Sequence, residues 1–154
     1  MLSSVIGMGI IQALFQFFVY FRTQPTLGDS FVVCRPSSEL TADDPPCSNN
    51  TVIYLVSDMQ YLICCLALSV SKPFRKAITT NYLFFFSSMS MLVYQSLQIV
   101  YKMDWNQDLM GLVDLPQSFR YEIAGIVVLN SLMTFGFERL VNYVSNRNQR
   151  KEHR

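Results

Sequence analysis

The residue in this sequence most able to do chemistry is Asp58, a carboxylate inside a long apolar segment, residues 51–71. A helix rises about 1.5 Å per residue, so a segment of roughly 20 residues spans a hydrocarbon layer of about 30 Å. Asp58 would then lie about 10 Å below the nearer surface of that layer. A charge at this depth costs at least a few kcal/mol, and carboxylates within membrane segments are candidates for cation or proton sites.

Uncharged polar residues accompany Asp58. Ser57, Gln60 and Tyr61 share its end of the segment, and Asn130 interrupts a later apolar segment. One hypothesis is an intramembrane polar site built from Asp58, Gln60 and Asn130, which would bind a cation or a proton. The alternative is a carboxyl that is paired with Asn130, a tyrosine hydroxyl or water, or that is simply protonated. Because the sequence places no second acidic residue at a similar depth, it favours the alternative.

Two cysteines and a glycosylation sequon lie just before this segment. Cys34 and Cys47 share one polar stretch, residues 22–50, and the sequon starts at Asn49. A sequon is used only in the secretory lumen or outside the cell, and disulfides persist in the same oxidising compartments. A Cys34–Cys47 bridge would close a loop of about 14 residues, which contributes about 3 kcal/mol in the chain-entropy model. The alternative is two free thiols and an unmodified Asn49 that lies too near the bilayer.

Motifs for enzymatic chemistry are missing from the sequence. It has no Gly-rich phosphate loop, no HExxH motif and no spaced Cys/His cluster, and its single histidine is His153 near the C-terminus. A net charge of +1 gives no reason to expect nucleic-acid binding. The chain alone is therefore not predicted to be an enzyme or to bind a cofactor or a metal.

The elements that must position these residues are membrane helices. Hydrophobic residues make up 51% of the chain and charged residues only 15%, against about 25% charged residues in an average soluble domain. Charges are nearly absent from four windows, and backbone groups in lipid must be satisfied within each segment, so helices are expected. The first window lacks the basic start and the cleavage site of a signal peptide. The predicted spans are about residues 2–21, 51–71, 80–101 and 121–141.

The distribution of cations predicts the orientation of an all-α membrane protein with four transmembrane helices. Three cations crowd a turn at residues 72–79, and five follow from position 139 into a tail at residues 142–154. The two remaining loops, residues 22–50 and 102–120, hold four cations. By the positive-inside rule the turn, the tail and both termini face the cytoplasm, and the loops face the lumen. Glu138 is expected at the cytoplasmic end of the fourth helix.

Several short motifs resemble one family of membrane pumps. They are Asn50-Thr51, Ser57-x-x-Gln60-Tyr61-Leu62, Ser71-Lys72-Pro73-Phe74-Arg75 and Asn81. This run resembles the eighth transmembrane segment and following turn of type V P-type ATPases, and most closely the B subgroup of endolysosomal polyamine transporters. Gln24-Pro25 resembles the exit of the family's seventh segment, and Val128-Leu129-Asn130 with Glu138 resembles its tenth. Two positions depart from the pattern, since Lys72 directly precedes Pro73 and Asp58 replaces a small serine.

The resemblance implies a parent pump that uses ATP and Mg²⁺, forms a phosphorylated aspartate, and moves polyamines from lumen to cytosol in late endosomes or lysosomes. The phosphorylation motif, the nucleotide-binding domain and six earlier membrane segments are expected upstream of Met1. The partners implied for this chain are the lipid bilayer and those six segments. No catalytic residue carries over.

Two functions are expected from these observations. The first is a C-terminal membrane-domain fragment of an ATP-driven polyamine or cation transporter, which supports the transport helices. The alternative is a stand-alone four-span protein with a structural or accessory role. A third hypothesis, a small channel or carrier, rests on Asp58 alone.

Overall fold

A computed structural model of the chain describes residues 2–34, 47–69 and 81–152, and this part of the chain is almost entirely helical. The helices are α1 (Leu2–Leu27), α2 (Ser48–Ser69), α3 (Tyr82–Val100), α4 (Asp104–Met110) and α5 (Gln117–Glu152), with a 3₁₀ turn at Gly28–Ser30. No strand occurs in the described ranges. The all-α prediction is therefore confirmed.

Helices α1, α2, α3 and α5 are each long and apolar enough to cross a membrane, which confirms the four predicted helices. Their ends differ from the predicted bounds. Helix α1 continues past position 21 to Leu27, with Pro25 in its last turn, and α5 continues past position 141 to Glu152. Hydropathy detects only the lipid-crossing part of a helix, so turns that extend into water escape it. The predicted turn at residues 72–79 lies outside the described residues.

The spanning helices pack as a bundle in which α1 and α5 run antiparallel. Helix α1 contacts α2 and α5, α2 contacts α3 and α5, and α3 contacts α5. The antiparallel register is fixed near both ends, because the Ser4 hydroxyl donates to Glu138 and Arg22 pairs with Glu122. This arrangement brings polar residues from three helices to one interface.

The close approach of α1 and α5 depends on Gly7. A methyl group at Gly7 would overlap the ring of Phe137 on α5, whereas a methyl group at Gly9 would meet nothing within 4 Å. Small residues of this kind let membrane helices approach closely. Gly7 therefore sets the spacing of the two helices near Ser4.

The bundle is apolar outside and partly polar inside, the reverse of a water-soluble protein. Large apolar side chains such as Phe21 and Leu83 are exposed, Leu83 by 85%. Gln60 and Asn130 are buried. Lipid tails are as apolar as leucine, so an exposed apolar face carries little cost in a membrane. Polar side chains gain more by facing one another inside.

One end of the bundle carries the Cys34–Cys47 bridge and is called here the disulfide end. The structure joins these two cysteines, whose Cα atoms are 4.9 Å apart. Two hydrogen bonds close the same junction: the Ser48 N–H donates to the Val32 carbonyl (3.0 Å), and the Val32 N–H donates to the Ser48 hydroxyl (2.9 Å). The segment after α1 is thereby fastened to the first turn of α2.

Candidate functional site

A seam of hydrogen-bonded polar side chains lies between α1, α2 and α5 inside the spanning part of the bundle. We call it the polar seam, and its members are Gln12, Gln16, Ser57, Gln60, Asn130 and Thr134. Asn130 is 1% exposed and Thr134 is fully buried. An unpaired polar group in such surroundings costs about 1–3 kcal/mol, so their partners matter.

Three members of the polar seam form a closed ring of hydrogen bonds between α1 and α5. Gln12 Nε2 donates to Thr134 Oγ1 (2.9 Å), and the Thr134 hydroxyl donates to Asn130 Oδ1 (3.2 Å). Asn130 Nδ2 donates back to Gln12 Oε1 (2.8 Å). Each group both donates and accepts, so the ring is satisfied without a charge.

Helix α2 joins the polar seam through two further bonds. Gln60 Nε2 donates to the backbone carbonyl of Gln12 (3.1 Å), and Gln16 Nε2 donates to Ser57 Oγ (2.8 Å). Gln12 and Gln16 are one helical turn apart on α1. The middle of α1 is therefore bonded to both of its neighbours.

Asp58 does not belong to the polar seam. Its Oδ2 atom accepts a hydrogen bond from Gln95 Nε2 on α3 (3.0 Å), and the Tyr54 phenol interacts with the same carboxylate. Residues two apart in a helix are separated by about 200° around its axis. The structure thus brings Gln60 and Asn130 into one network and places Asp58 on the other side of α2, against α3.

Glu138 is a second carboxylate inside the bundle, only 6% exposed. It accepts hydrogen bonds from the Ser4 hydroxyl and from Asn142 Nδ2 (3.2 Å). The sequence predicts Glu138 at the end of the last helix, but α5 continues and Glu138 packs against α1. The missed signal is spacing, because Asn130, Thr134, Glu138 and Asn142 recur every four residues and so share one helix face.

Arg120 is a buried cation at the disulfide end, 3% exposed. Its guanidinium donates to the carbonyls of Leu115 (3.1 Å) and Gln98 (3.1 Å), and it lies 3.6 Å from Asp114. Gln98 is in the last turn of α3, where free carbonyls carry partial negative charge. Arg120 therefore caps α3 and ties it to the start of α5. No pattern in the sequence marks this loop cation as buried.

Two carboxylates hold Lys102 beside this cap. Lys102 Nζ lies 2.8 Å from Asp114 Oδ2 and 3.5 Å from Asp104 Oδ1. The hydrogen bond with Asp114 raises the pKa of Lys102, and the same bond lowers the pKa of Asp114. Both side chains are exposed, so water and salt weaken the pair.

The glycosylation sequon is folded into the first turn of α2. The buried Thr51 hydroxyl donates to the Cys47 carbonyl (3.1 Å) and accepts from the Val113 N–H (2.9 Å). Asn49 Oδ1 is buried and has no hydrogen-bond partner among the described residues. Glycosyl transfer needs an accessible Asn-x-Thr segment, so a glycan would have to be added to Asn49 before this turn folds. Glycosylation of Asn49 therefore stays a prediction.

The chemistry available to these groups is hydrogen bonding between helices. Within residues 2–34, 47–69 and 81–152, no group of three or more His, Cys, Asp or Glu side chains could hold a metal ion. The polar seam consists of amides and hydroxyls, which can donate and accept but carry no charge. Its geometry suits the joining of helices.

These features define the class of the protein, a multi-pass helical membrane protein whose spanning helices are joined by hydrogen bonds between polar side chains. No protein-family model matches the chain. It is 30% identical over 93 residues to a polyamine-transporting ATPase 13A3 of Macaca fascicularis, and that match covers 60% of this chain and 8% of the relative. It is 29% identical over 146 residues to a probable cation-transporting ATPase, catp-6, of Caenorhabditis elegans, with 90% of this chain and 11% of the relative covered.

The human polyamine-transporting ATPase 13A3 is likewise 29% identical over 93 residues. The chain is thus homologous to part of these cation- and polyamine-transporting ATPases, which confirms the resemblance to type V P-type ATPases. It spans only 8–11% of the length of the relatives it matches.

Proposed function

We propose that this chain is the last membrane-spanning part of an ATP-driven cation or polyamine transporter, and that it braces the helices that carry the substrate. The observation that carries the proposal is the match over 90% of this chain to a cation-transporting ATPase. The four spanning helices support it, because a bracing role needs a bundle with fixed internal contacts. The polar seam supplies such contacts.

The remaining parts of the transporter would supply the chemistry. The Asp-Lys-Thr-Gly-Thr phosphorylation motif is not in this sequence, so ATP and Mg²⁺ would bind to other domains of the parent protein. The partners proposed for this chain are the lipid bilayer and the transporter's other membrane segments. The exposed apolar faces of α1 and α3 are suited to both, since neither demands hydrogen bonds from the surface. The proposed location is the late endosome or lysosome.

The proposed orientation places both termini in the cytoplasm and the disulfide end in the lumen. The excess of cations at residues 72–79 and in the tail supports this orientation. The Cys34–Cys47 bridge supports it independently, because disulfides form and persist in oxidising compartments.

A chimera tests the proposed function. The segment of human polyamine-transporting ATPase 13A3 that is homologous to this chain is replaced by this chain, and uptake of radiolabelled spermidine into cells is measured. We expect uptake well above that of cells without the chimera. The matched control carries Gln12→Leu and Asn130→Leu, which remove the ring of the polar seam and should lower uptake. A chimera present in the membrane in normal amounts but without any uptake would contradict the proposal.

A stand-alone four-span protein is the second candidate, and one observation favours it. The ring of the polar seam is completed by Gln12, Asn130 and Thr134 of this chain alone. The two candidates are distinguished by expressing the chain alone, or together with a related ATPase that lacks the segment homologous to this chain and is encoded on a second plasmid. Copurification with the rest of the transporter supports the first. A protease-resistant protein that binds no such partner supports the second.

A further inference from the structure

Helix α5 is longer than a membrane is thick. Its 36 residues extend about 54 Å at 1.5 Å per residue, whereas a bilayer with its headgroup layers measures about 40–45 Å. The span predicted within α5, residues 121–141, accounts for about 30 Å of that length. The last turns of α5, beyond position 141, therefore lie at the level of the opposite headgroups and past them.

The cations of these last turns share one side of the helix. Rotation of about 100° per residue places positions 139, 147, 150 and 151 within an arc of about 120°. These four positions are Arg139, Arg147, Arg150 and Lys151, and we call them the basic stripe. Tyr143 lies within the same arc. Glu138 and Glu152 fall outside it, so the helix register separates the two signs of charge.

The basic stripe is open to its surroundings where its side chains are described. Arg139 and Arg147 are exposed. Glu138, the neighbour of Arg139, is turned inward to the Ser4 hydroxyl on α1. Tyr143 is exposed on the same side, and tyrosine rings favour the depth of lipid headgroups.

We propose that the basic stripe binds the headgroups of anionic phospholipids in the leaflet where α5 ends. Clusters of Lys and Arg directly next to a membrane helix attract anionic lipid by about 1 kcal/mol for each cation. The arginine fork can also hold a phosphate with two parallel hydrogen bonds. The headgroup of a membrane lipid is favoured over a soluble phosphate compound, because the stripe continues directly from a membrane span and so lies beside the headgroup layer. The inference does not rest on the proposed transport function.

Lipid retention by the full chain tests the inference. The purified chain is titrated in detergent with phosphatidylserine, with phosphatidylcholine, or with soluble glycerophosphoserine, and bound molecules are counted by native mass spectrometry. We expect phosphatidylserine to bind most tightly. In Arg139→Gln/Arg147→Gln the affinity should fall about 25-fold, which corresponds to about fivefold for each cation.

A charge-swapped variant is the matched control. Arg147→Gln/Gln149→Arg keeps the composition and the net charge but moves one cation about 140° away from the centre of the stripe. We expect about a fivefold loss of phosphatidylserine affinity with an unchanged melting temperature. Equal affinity in this variant, or equal binding of phosphatidylcholine, would overturn the inference and leave an acidic protein segment as the partner of the stripe. Equal binding of glycerophosphoserine would overturn the choice of an anchored lipid.

Discussion

At the scale of single residues, the internal bonds of the bundle converge on Gln12. Its side chain bonds to Thr134 and Asn130 on α5, and its backbone carbonyl accepts from Gln60 on α2. An amide suits this position because it donates and accepts at once without the desolvation cost of a charge. Asp58 differs from the members of the polar seam, because its carboxylate can only accept hydrogen bonds when it is ionised. It accepts one from Gln95 on α3, outside the seam.

The bond between Gln12 and Asn130 should appear as a coupling energy. In a double-mutant cycle of Gln12→Leu and Asn130→Leu, we expect a coupling of about 0.6 kcal/mol and at most about 1.7 kcal/mol, the range found for polar pairs in membranes. The free energy of unfolding in bicelles is the measurement. As a control, Gln95→Leu and Asn130→Leu should be additive, because Gln95 bonds to Asp58 on the other side of α2. Additivity in the first pair would count against the ring.

The stability of the disulfide end should depend on pH through Asp114. Its pKa is lowered in the folded chain by the bond to Lys102, so its contribution is present above the unfolded pKa of about 3.9 and is lost as the pH falls below it. The pKa of Lys102 is raised in the folded chain, so the contribution of Lys102 to stability is present below its unfolded pKa of about 10.4 and is lost as the pH rises above it. The pair should therefore contribute fully between about pH 5 and pH 10.

Fluorescence of Trp105, the single tryptophan, reports on this region because it lies in α4 next to Asp104. The melting temperature measured by this fluorescence should fall between pH 6 and pH 3 in the wild type. In Asp114→Asn the fall should be smaller, because the carboxylate that is protonated over this range is absent. The exposed Asp29, which has no part in the Lys102–Asp114 pair, offers the control variant Asp29→Asn. If both variants show the wild-type pH profile, the Lys102–Asp114 bond has no measurable weight in stability.

At the scale of the elements, the contact between α1 and α5 should be sensitive to side-chain size at one glycine and not at its neighbour. Gly7→Leu would drive a side chain into Phe137, and overpacking of this kind typically costs about 1–3 kcal/mol. Gly9→Leu points into open space and should cost far less. Unfolding free energies of the two variants give the comparison. Phe137→Ala should restore part of the stability of Gly7→Leu, and a cost shared equally by both glycine variants would refute the packing.

The elements were predictable from the sequence to the extent that hydropathy defines them. The four spanning helices follow from long apolar windows, and the polar loops follow from clustered charges. The rotation of each helix within the bundle does not follow, so Gln95 could not be predicted as the partner of Asp58. The opposite faces of Asp58 and Gln60 did follow from their spacing of two residues, which argues against the hypothesis that they share one site. The row from Asn130 to Asn142 was visible as a four-residue spacing. The burial of Arg120 was not predictable, since it depends on how the loop after α3 folds back.

At the scale of the whole molecule, the antiparallel register places the Ser4 end of α1 beside the Glu138 region of α5 and the Cys34–Cys47 bridge at the opposite end. The proposed orientation then makes a prediction for the entire chain. In sealed vesicles with the cytoplasmic face outward, Ser145→Cys should react with an impermeant maleimide, and Leu109→Cys should react only after detergent is added. A Cys64→Ser/Cys65→Ser background removes the free thiols. Protection of position 145 and labelling of position 109 would reverse the orientation.

The ring of the polar seam also has a consequence for how the protein is made. Gln12 and Asn130 are separated by 118 residues along the chain, and synthesis proceeds at about 5–20 residues per second. Gln12 of α1 is therefore synthesised roughly 6–24 s before its partner Asn130 on α5 exists. During that interval the Gln12 amide must find water, another protein or a membrane chaperone to bond with. The hydrogen bonds of α1 are thus completed only after α5, the last of these four spanning helices, has been made.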